Sequence, residues 1–589
     1  VRRGLYLLAG AATAFALVAV VLADPAPTPE LTPFGHACTA EEGVRFCPTA
    51  DLAARVPSFD GVPLDVDVTL PEGGEPPYPA IVMLHGFGGA KADYEAGAQD
   101  GGESGVAPDS PSIYHYDNVF YARRGYAVVN YSARGFGRSG GYSHLADSRY
   151  EARDTQYLLG LLADEGVVRP RDVGVTGTSY GGGQSLELAF LRDKVRLPNG
   201  KLVPWRSPAG KPMAIAAAYP RLPWSDLISA LVPNGRFKDW QVAGREQSLR
   251  PVGTPLASFL DLYGSGLKDE ASARLGNVLR AASRPLSGEE AKALRGIYWN
   301  HGGYPLRFLK GASKPAPLLI ENGFTDELFP IEQALRVYDY LRSEDPNAPV
   351  ALQFADLGHS RAAGKPRPNY YFDNQAARFF AAHLLGAKNK APAPGLVTAF
   401  TTTCPEAARD GGPYKATNWS ELHAGGFLFG SEGAQEFTSA GGSAEVARTF
   451  DPISGTGEAC QTIPVTPEEN TASYSRRVKR GFTMLGQPTI EAQITTSGQY
   501  GQIDARLWDI SPEGTQLLVD RGTYSLRANQ SGLIALQLHG NAYHFPKGHK
   551  VELQLLGRDA PYYQPGSQPF AIRASRVQVT LPTLQRQPH

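Results

Sequence analysis

Asp172-Val-Gly-Val-Thr-Gly-Thr-Ser179-Tyr-Gly-Gly-Gly-Gln-Ser-Leu-Glu-Leu-Ala-Phe-Leu-Arg192 reads as a strand, a tight turn and a helix. The turn is Gly177-Thr178-Ser179-Tyr180-Gly181. By itself G-x-S-x-G is a weak signal: with 65 Gly in 589 residues, chance supplies on the order of half a match. A second match stands at Gly137-Arg138-Ser139-Gly140-Gly141. Context separates the two. Small residues around Ser179 let a helix approach a strand while the turn lifts the hydroxyl clear of a sheet, as a nucleophilic serine requires. Ser139 is followed by Gly-Gly and meets no helical pattern until about Tyr150, so it reads as a loop serine.

Outward from this turn, residues from about 60 to 390 alternate strand and helix patterns. Val66–Leu70, Ala80–Leu84, Tyr126–Tyr131, Met213–Tyr219, Pro317–Asn322 and Val350–Phe354 read as strands. Tyr150–Glu165, Ile331–Arg342 and Tyr371–Leu385 read as helices. Such alternation predicts a parallel sheet covered on both faces, an α/β fold of the α/β-hydrolase type. Residues from about 221 to 312 interrupt it with helical or irregular sequence containing Trp224, Leu227, Ile228, Leu231, Phe237 and Trp240. The expectation is a helical cap over the active-site edge; a structural appendage is the plain alternative. Beyond about 395, short period-two strands such as Ile503–Leu507 and Val551–Leu556, with a turn at Ser511-Pro-Glu-Gly, predict an all-β sandwich. The expected organisation is 1–23 signal peptide, 24–58 Pro-rich leader, 59–392 α/β domain and 393–589 β-sandwich.

A serine hydroxyl needs a base to take its proton and a third group to hold that base. In α/β-hydrolase order the acid follows the serine and the histidine comes last. Asp326, in Asn322-Gly-Phe-Thr-Asp-Glu-Leu, follows one strand, and His359, in Asp356-Leu-Gly-His, follows the next. Both thus fall at the strand ends that carry ligands in open α/β sheets. Glu327 and Asp356 are rivals for the acid, read as solvated loop carboxylates. Of 12 His, only His85, His144, His301 and His359 stand near plausible site loops, and His85 has the plainer role of ordering its turn. The oxyanion of acyl transfer needs two aimed N–H donors. The expected donors are the Tyr180 backbone and, in His85-Gly-Phe-Gly, the Phe87 backbone.

The net charge is −1, with 42% hydrophobic and 20% charged residues. There is no basic stripe, no phosphate loop and no paired Cys or His at ligand spacing. Nucleic-acid and metal roles are therefore disfavoured, and no cofactor is implied. Arg2 and Arg3 precede an apolar run from Leu5 to Leu22, with Val21-Leu-Ala23 as a cleavage site. This predicts a secreted or envelope protein, an uncleaved membrane anchor being the second reading. The opening Val, with all three Met internal, suits a GTG start in a bacterial gene or a truncated chain. Cys38, Cys47, Cys404 and Cys460 allow three connectivities; the local pairs Cys38–Cys47 and Cys404–Cys460 respect the domain division.

Taken together, Ser132-Ala-Arg-Gly-Phe-Gly-Arg-Ser-Gly-Gly, the Gly177–Gly182 turn, the insertion and the β-domain resemble the family of cocaine esterase and the X-prolyl dipeptidyl-peptidases, the predicted acyl esterases. Within the β-domain, Asp504-Ala-Arg-Leu-Trp-Asp-Ile-Ser-Pro-Glu-Gly and Val519-Asp-Arg-Gly are similar to that family's jelly-roll signature. The resemblance implies a serine hydrolase acting on ester or amide bonds through Ser179, Asp326 and His359, an acyl esterase first and an X-prolyl peptidase second. Its esterase members place a Pro-Tyr segment where this chain has His85-Gly-Phe, which favours a backbone donor from Phe87. The substrate would be a small ester, amide or peptide. Readings from other classes are an acyltransferase and a non-catalytic carbohydrate or cell-wall binder.

Overall fold

A computed structural model describes residues 31–96, 114–235, 253–266 and 314–586, apart from 360, 363, 388–390, 457, 499–500 and 527–528, with isolated positions between 267 and 313. The signal segment at 1–23 lies outside them, as do Phe237 and Trp240. Among the described residues no helix is long and apolar enough to cross a membrane.

The strands of the first sheet are β1 (Thr39–Glu41), β2 (Val44–Cys47), β3 (Val66–Pro71), β4 (Tyr78–Leu84), β5 (Ala127–Tyr131), β6 (Val168–Thr178), β7 (Ile215–Arg221), β8 (Leu318–Gly323), β9 (Val350–Ala355), β10 (Val397–Ala399) and β11 (Tyr414–Ala416). Their spatial order is β1-β2-β3-β5-β4-β6-β7-β8-β9-β10-β11. From β5 to β10 all neighbours are parallel, while β3 and the outer strands run antiparallel. Strands β4, β5, β8 and β9 are buried at every residue. Continuous apolar runs such as Ala80-Ile-Val-Met-Leu are what a sheet covered on both faces demands.

The helices that bear on the site are α1 (Glu151–Asp164), α2 (Tyr180–Leu191), α3 (Leu227–Leu231), α4 (Ala257–Gly266), α5 (Glu332–Glu344) and α6 (Pro366–Leu384). Helix α2 is buried all round, so it is the central helix of its layer rather than an amphipathic surface one. Helix α6 begins five residues before the expected Tyr371, across Pro366-Arg-Pro. Proline in a first turn forfeits no helical hydrogen bond, so the prolines open the helix instead of ending it.

Two expected boundaries move. Residues 39–47, assigned to the leader, form a hairpin closed by the Cys38–Cys47 disulfide, and β2 pairs with β3 from Cys47↔Val68 to Val44↔Pro71. Strands β10 and β11, assigned to the β-domain, complete the first sheet. Strands of three or four residues are too short to show a period, which is why the sequence did not place them in this sheet.

The C-terminal domain is a sandwich. One sheet holds Thr462–Pro464, Thr515–Ser525, Gln502–Ile510, Lys550–Leu556 and Ala472–Arg477 in that order. The other is built on the long strand Ala571–Thr583, flanked by Thr489–Ser497, Phe482–Gly486, Gly425–Ser431 and Gln435–Thr438. Ile503, Ala505 and Leu507 face the sandwich core. The alternate residues Asp504 and Arg506 are equally buried, because that face of the sheet abuts loops rather than water. A second disulfide joins Cys404 to Cys460, so the structure carries both pairs that the local-pairing expectation named.

Candidate active site

Helix α2 can start at the tip of β6 because the turn is made of glycine. A Cβ on Gly181 would stand 1.9 Å from the Leu84 carbonyl oxygen, and one on Gly182 would stand 2.2 Å from that of Arg221. The helix end is thus wedged between the ends of β4 and β7, closer than any side chain permits. Ser179 carries the resulting backbone strain, with φ +59° and ψ −112°. A non-glycine residue held in that region costs on the order of 1–3 kcal/mol, which the Ser179 N–H bond to the Arg221 carbonyl (2.9 Å) helps to maintain.

The structure brings Ser179, His359 and Asp326 together. His359 Nε2 lies 2.7 Å from Ser179 Oγ, and His359 Nδ1 lies 2.9 Å from each Asp326 carboxylate oxygen. The carboxylate therefore holds the imidazole with Nδ1 protonated and Nε2 open to accept the serine proton. Asp326 is buried and is itself held, accepting from the backbone N–H groups of Leu328 (3.0 Å) and Phe329 (2.9 Å). The Phe329 ring stands edge-on to the His359 ring with centroids 5.0 Å apart.

The loop after β4 carries His85, Gly86 and Phe87 against the turn: a Cβ on Gly86 would lie 3.8 Å from the Thr178 carbonyl. Phe87 packs its ring 5.9 Å from that of Tyr180, the residue after the serine. Both expected oxyanion donors thus belong to segments bordering Ser179. His85 accepts from the Ala133 N–H (2.8 Å) at Nε2 and donates from Nδ1 to the Gly86 carbonyl (2.7 Å). It orders the loop, and burial lowers its pKa, favouring the neutral ring that this pattern needs. Lys91, buried between Asp65 (2.9 Å) and Asp67 (2.8 Å), fixes the far end of the same loop. Ser139 Oγ donates to the Ser132 carbonyl (2.5 Å) and accepts from the Asp65 N–H (2.8 Å), so it serves as a loop staple.

Glu327 and Asp356 are not the solvated loop carboxylates that the sequence suggested. Both are buried. Asp356 accepts from the Thr325 hydroxyl (2.8 Å). Glu327 pairs with Arg361 (2.7 Å) and Arg521 (3.2 Å) as ion pairs rather than aligned hydrogen bonds. Spacing revealed neither partner, because Arg361 and Arg521 meet Glu327 only through the tertiary fold, Arg521 from the other domain. A further buried acid, Glu151, accepts from the Tyr180 hydroxyl (3.0 Å) and the backbone N–H groups of His144 and Asp147. Burial pushes its pKa up to about 8. Its position at the start of α1 gave no signal beyond that of an ordinary first-turn acid.

The described part of the insertion reaches this site. Trp224 packs on Phe329 with centroids 5.0 Å apart, and its indole N–H donates to the His301 carbonyl. His301 Nδ1 in turn meets the Leu145 carbonyl at 2.9 Å. His144 stacks on Tyr150 (4.0 Å). Among the described residues no group of three or more His, Cys, Asp or Glu is arranged to hold a metal ion.

Residues 60–195 match the family model of the X-Pro dipeptidyl-peptidases (S15 family). A search of curated proteins finds no match. Among solved structures, the chain is similar to an aminopeptidase from a marine sediment Thaumarchaeota archaeon, with TM-score 0.61, 15% identity, and 95% of this chain and 98% of that one covered. It is also similar to an α-amino acid ester hydrolase, with TM-score 0.58, 16% identity and 96% and 100% covered. A CocE/NonD family hydrolase from Staphylococcus aureus gives TM-score 0.58 at 12% identity, with 92% and 94% covered. At these identities the likeness is one of fold, an α/β-hydrolase with a C-terminal β-sandwich spanning nearly the whole chain.

Proposed function

We propose that this chain, a serine hydrolase of the X-Pro dipeptidyl-peptidase (S15) family, is a secreted acyl esterase whose catalytic triad is Ser179, His359 and Asp326. The 2.7 Å approach of His359 Nε2 to Ser179 Oγ supports the triad. Ser179 Oγ attacks the ester carbonyl as His359 Nε2 takes its proton. The backbone N–H groups of Tyr180 and Phe87 stabilise the oxyanion. His359 then protonates the departing alkoxide, leaving an acyl-serine and the free alcohol. Water, deprotonated by His359, releases the acid and restores the serine. Asp326 orients the imidazole and stabilises its cation.

The ester preference rests on one observation. Among the described residues, four carboxylates around the triad, Glu151, Glu321, Glu327 and Asp356, are each at most 5% exposed and engaged by protein groups. None of them presents a solvent-facing anion to grip a free peptide N-terminus. The groups beside the triad are aromatic instead: Phe87, Phe136 and Tyr180 cluster at the turn that carries Ser179, and Phe329, packed on Trp224, stands against His359. An X-prolyl peptidase is the second reading, favoured by the family match and by the similar aminopeptidase. Export is supported by the apolar segment after Arg2-Arg3 and by two disulfides, which persist in oxidising compartments.

The test is a side-by-side assay of protein beginning at Asp24 on p-nitrophenyl butyrate and Ala-Pro-p-nitroanilide. Ester cleavage without anilide cleavage is the expected result. Efficient anilide cleavage would replace the esterase reading with the peptidase one.

A further inference from the structure

The acid and base loops are stitched to each other. A Cβ on Gly323 would stand 1.7 Å from the Leu357 carbonyl oxygen, so the two backbones touch. Thr325 donates to Asp356, and one residue past Asp326, Glu327 pairs with Arg361, two residues past His359. A third partner comes from the β-sandwich: Arg521, on the strand Thr515–Ser525, meets the same Glu327 oxygen at 3.2 Å. Arg521 is anchored on its own side by Asp559 (3.6 Å), by the Phe450 carbonyl and by the Tyr562 ring beneath its guanidinium (4.2 Å). The Tyr562 hydroxyl donates to the Glu327 carbonyl (2.6 Å), and Arg361 donates to the Leu518 carbonyl of the sandwich (3.0 Å). All of these groups are buried.

We propose that Arg521 of the β-sandwich is a positioning residue for the triad, acting through Glu327 to hold the Asp326 and His359 loops in register. The inference rests on the reading of Ser179, His359 and Asp326 as catalytic. The geometry explains why a distant cation would matter. His359 Nδ1 sits symmetrically between the two Asp326 oxygens, and Asp326 is held by the N–H groups of Leu328 and Phe329, immediately beyond Glu327. Rotation of the Glu327 backbone therefore moves the very donors that aim Asp326. Arg361 transmits the same displacement to the His359 loop. Arg521 touches neither substrate nor reacting atoms, so its effect belongs to the chemical step and not to binding.

The experiment uses the full chain from Asp24 and begins with fluorophosphonate labelling of the wild type, mapped by mass spectrometry. Labelling at Ser179 upholds the triad; labelling elsewhere, or none, would remove both the triad reading and this inference. Arg521→Met, Arg521→Lys and Glu327→Gln are then compared on p-nitrophenyl butyrate, with active sites counted by the label. In Arg521→Met and Glu327→Gln, kcat per active site should fall about 10- to 100-fold, as expected for displaced catalytic groups, with KM nearly unchanged. Labelling should slow in step, and Arg521→Lys should recover part of the loss. If Arg521→Met does not fold, the isosteric Glu327→Gln decides alone. Wild-type kcat per labelled site in every folded variant, or a change confined to KM, overturns the inference while leaving the triad standing.

Discussion

At the residue scale the site turns on one proton path, from Ser179 Oγ through His359 to the forked acceptor Asp326. Ser179→Ala should lower kcat by roughly four or more orders of magnitude, because the three groups act as a unit. Ser139→Ala, in the rival motif, should leave kcat nearly unchanged. It should instead lower stability by about 1 kcal/mol, since it removes a hydroxyl that donates to Ser132 and accepts from Asp65. Turnover and thermal melts of the two variants separate these roles, and an inactive Ser139→Ala would reverse the assignment. Ser179 was legible because its neighbours, and not its motif, carry the information. Glu327 and Asp356 were misjudged because sequence shows a carboxylate's loop but not the cation or hydroxyl that folds onto it.

At the element scale, the start of α2 and the start of α1 make opposite demands. The α2 end tolerates no side chain at Gly181, where a Cβ would overlap the Leu84 backbone. Gly181→Ala should therefore abolish activity and yield little folded protein, measured as soluble yield and labelling. The α1 end buries an acid. Burial raises Glu151 to about 8 from its ordinary 4.5, so the fold favours its protonated form. The stability contributed is complete below about pH 4.5 and is lost as pH rises through about 8. Glu151→Gln carries no such charge. Its melting temperature relative to wild type should be higher at pH 9 than at pH 5; equal differences at both values would show that Glu151 ionises freely. The parallel strands were readable because they are fully buried apolar runs. Strands β1, β2, β10 and β11 were not, because three or four residues at a sheet edge carry no period.

At the scale of the whole molecule, the sandwich is joined to the α/β domain by the Glu327 cluster and also through the feet of the insertion. Thr254 Oγ1 meets Ser525 Oγ at 3.3 Å, and the Ala257 N–H donates to the Tyr562 carbonyl at 2.8 Å. Glu332 of α5 pairs with His539 at 2.7 Å across the same boundary. The two disulfides differ in what they constrain. Cys404 and Cys460 lie 56 residues apart, against 9 for Cys38 and Cys47. In the chain-entropy account, replacing the first pair by serine should cost roughly 4 kcal/mol and the second roughly 3. Denaturant titration of the two double-serine variants checks the order, and non-reducing peptide mapping should show Cys404 joined to Cys460.

The sequence by itself determined what depends on local chemistry and period. Glycines permit the turn at Ser179, buried apolar runs make the parallel strands, and the strand ends place Asp326 and His359 on one edge. Of the three connectivities open to the four cysteines, the domain division favoured the local pairs that the structure carries. The tertiary structure alone decided what meets across the chain. Asp504 and Arg506 alternate with Ile503, Ala505 and Leu507 as the polar face of any half-exposed strand would, yet they are buried, as is Arg521. Alternation says that two faces of a strand differ, but not whether the polar face meets water, loops or another domain. For Asp504 and Arg506 the sandwich's own loops make that choice, and for Arg521 the docking of the sandwich does, setting it against the residue beside the triad acid.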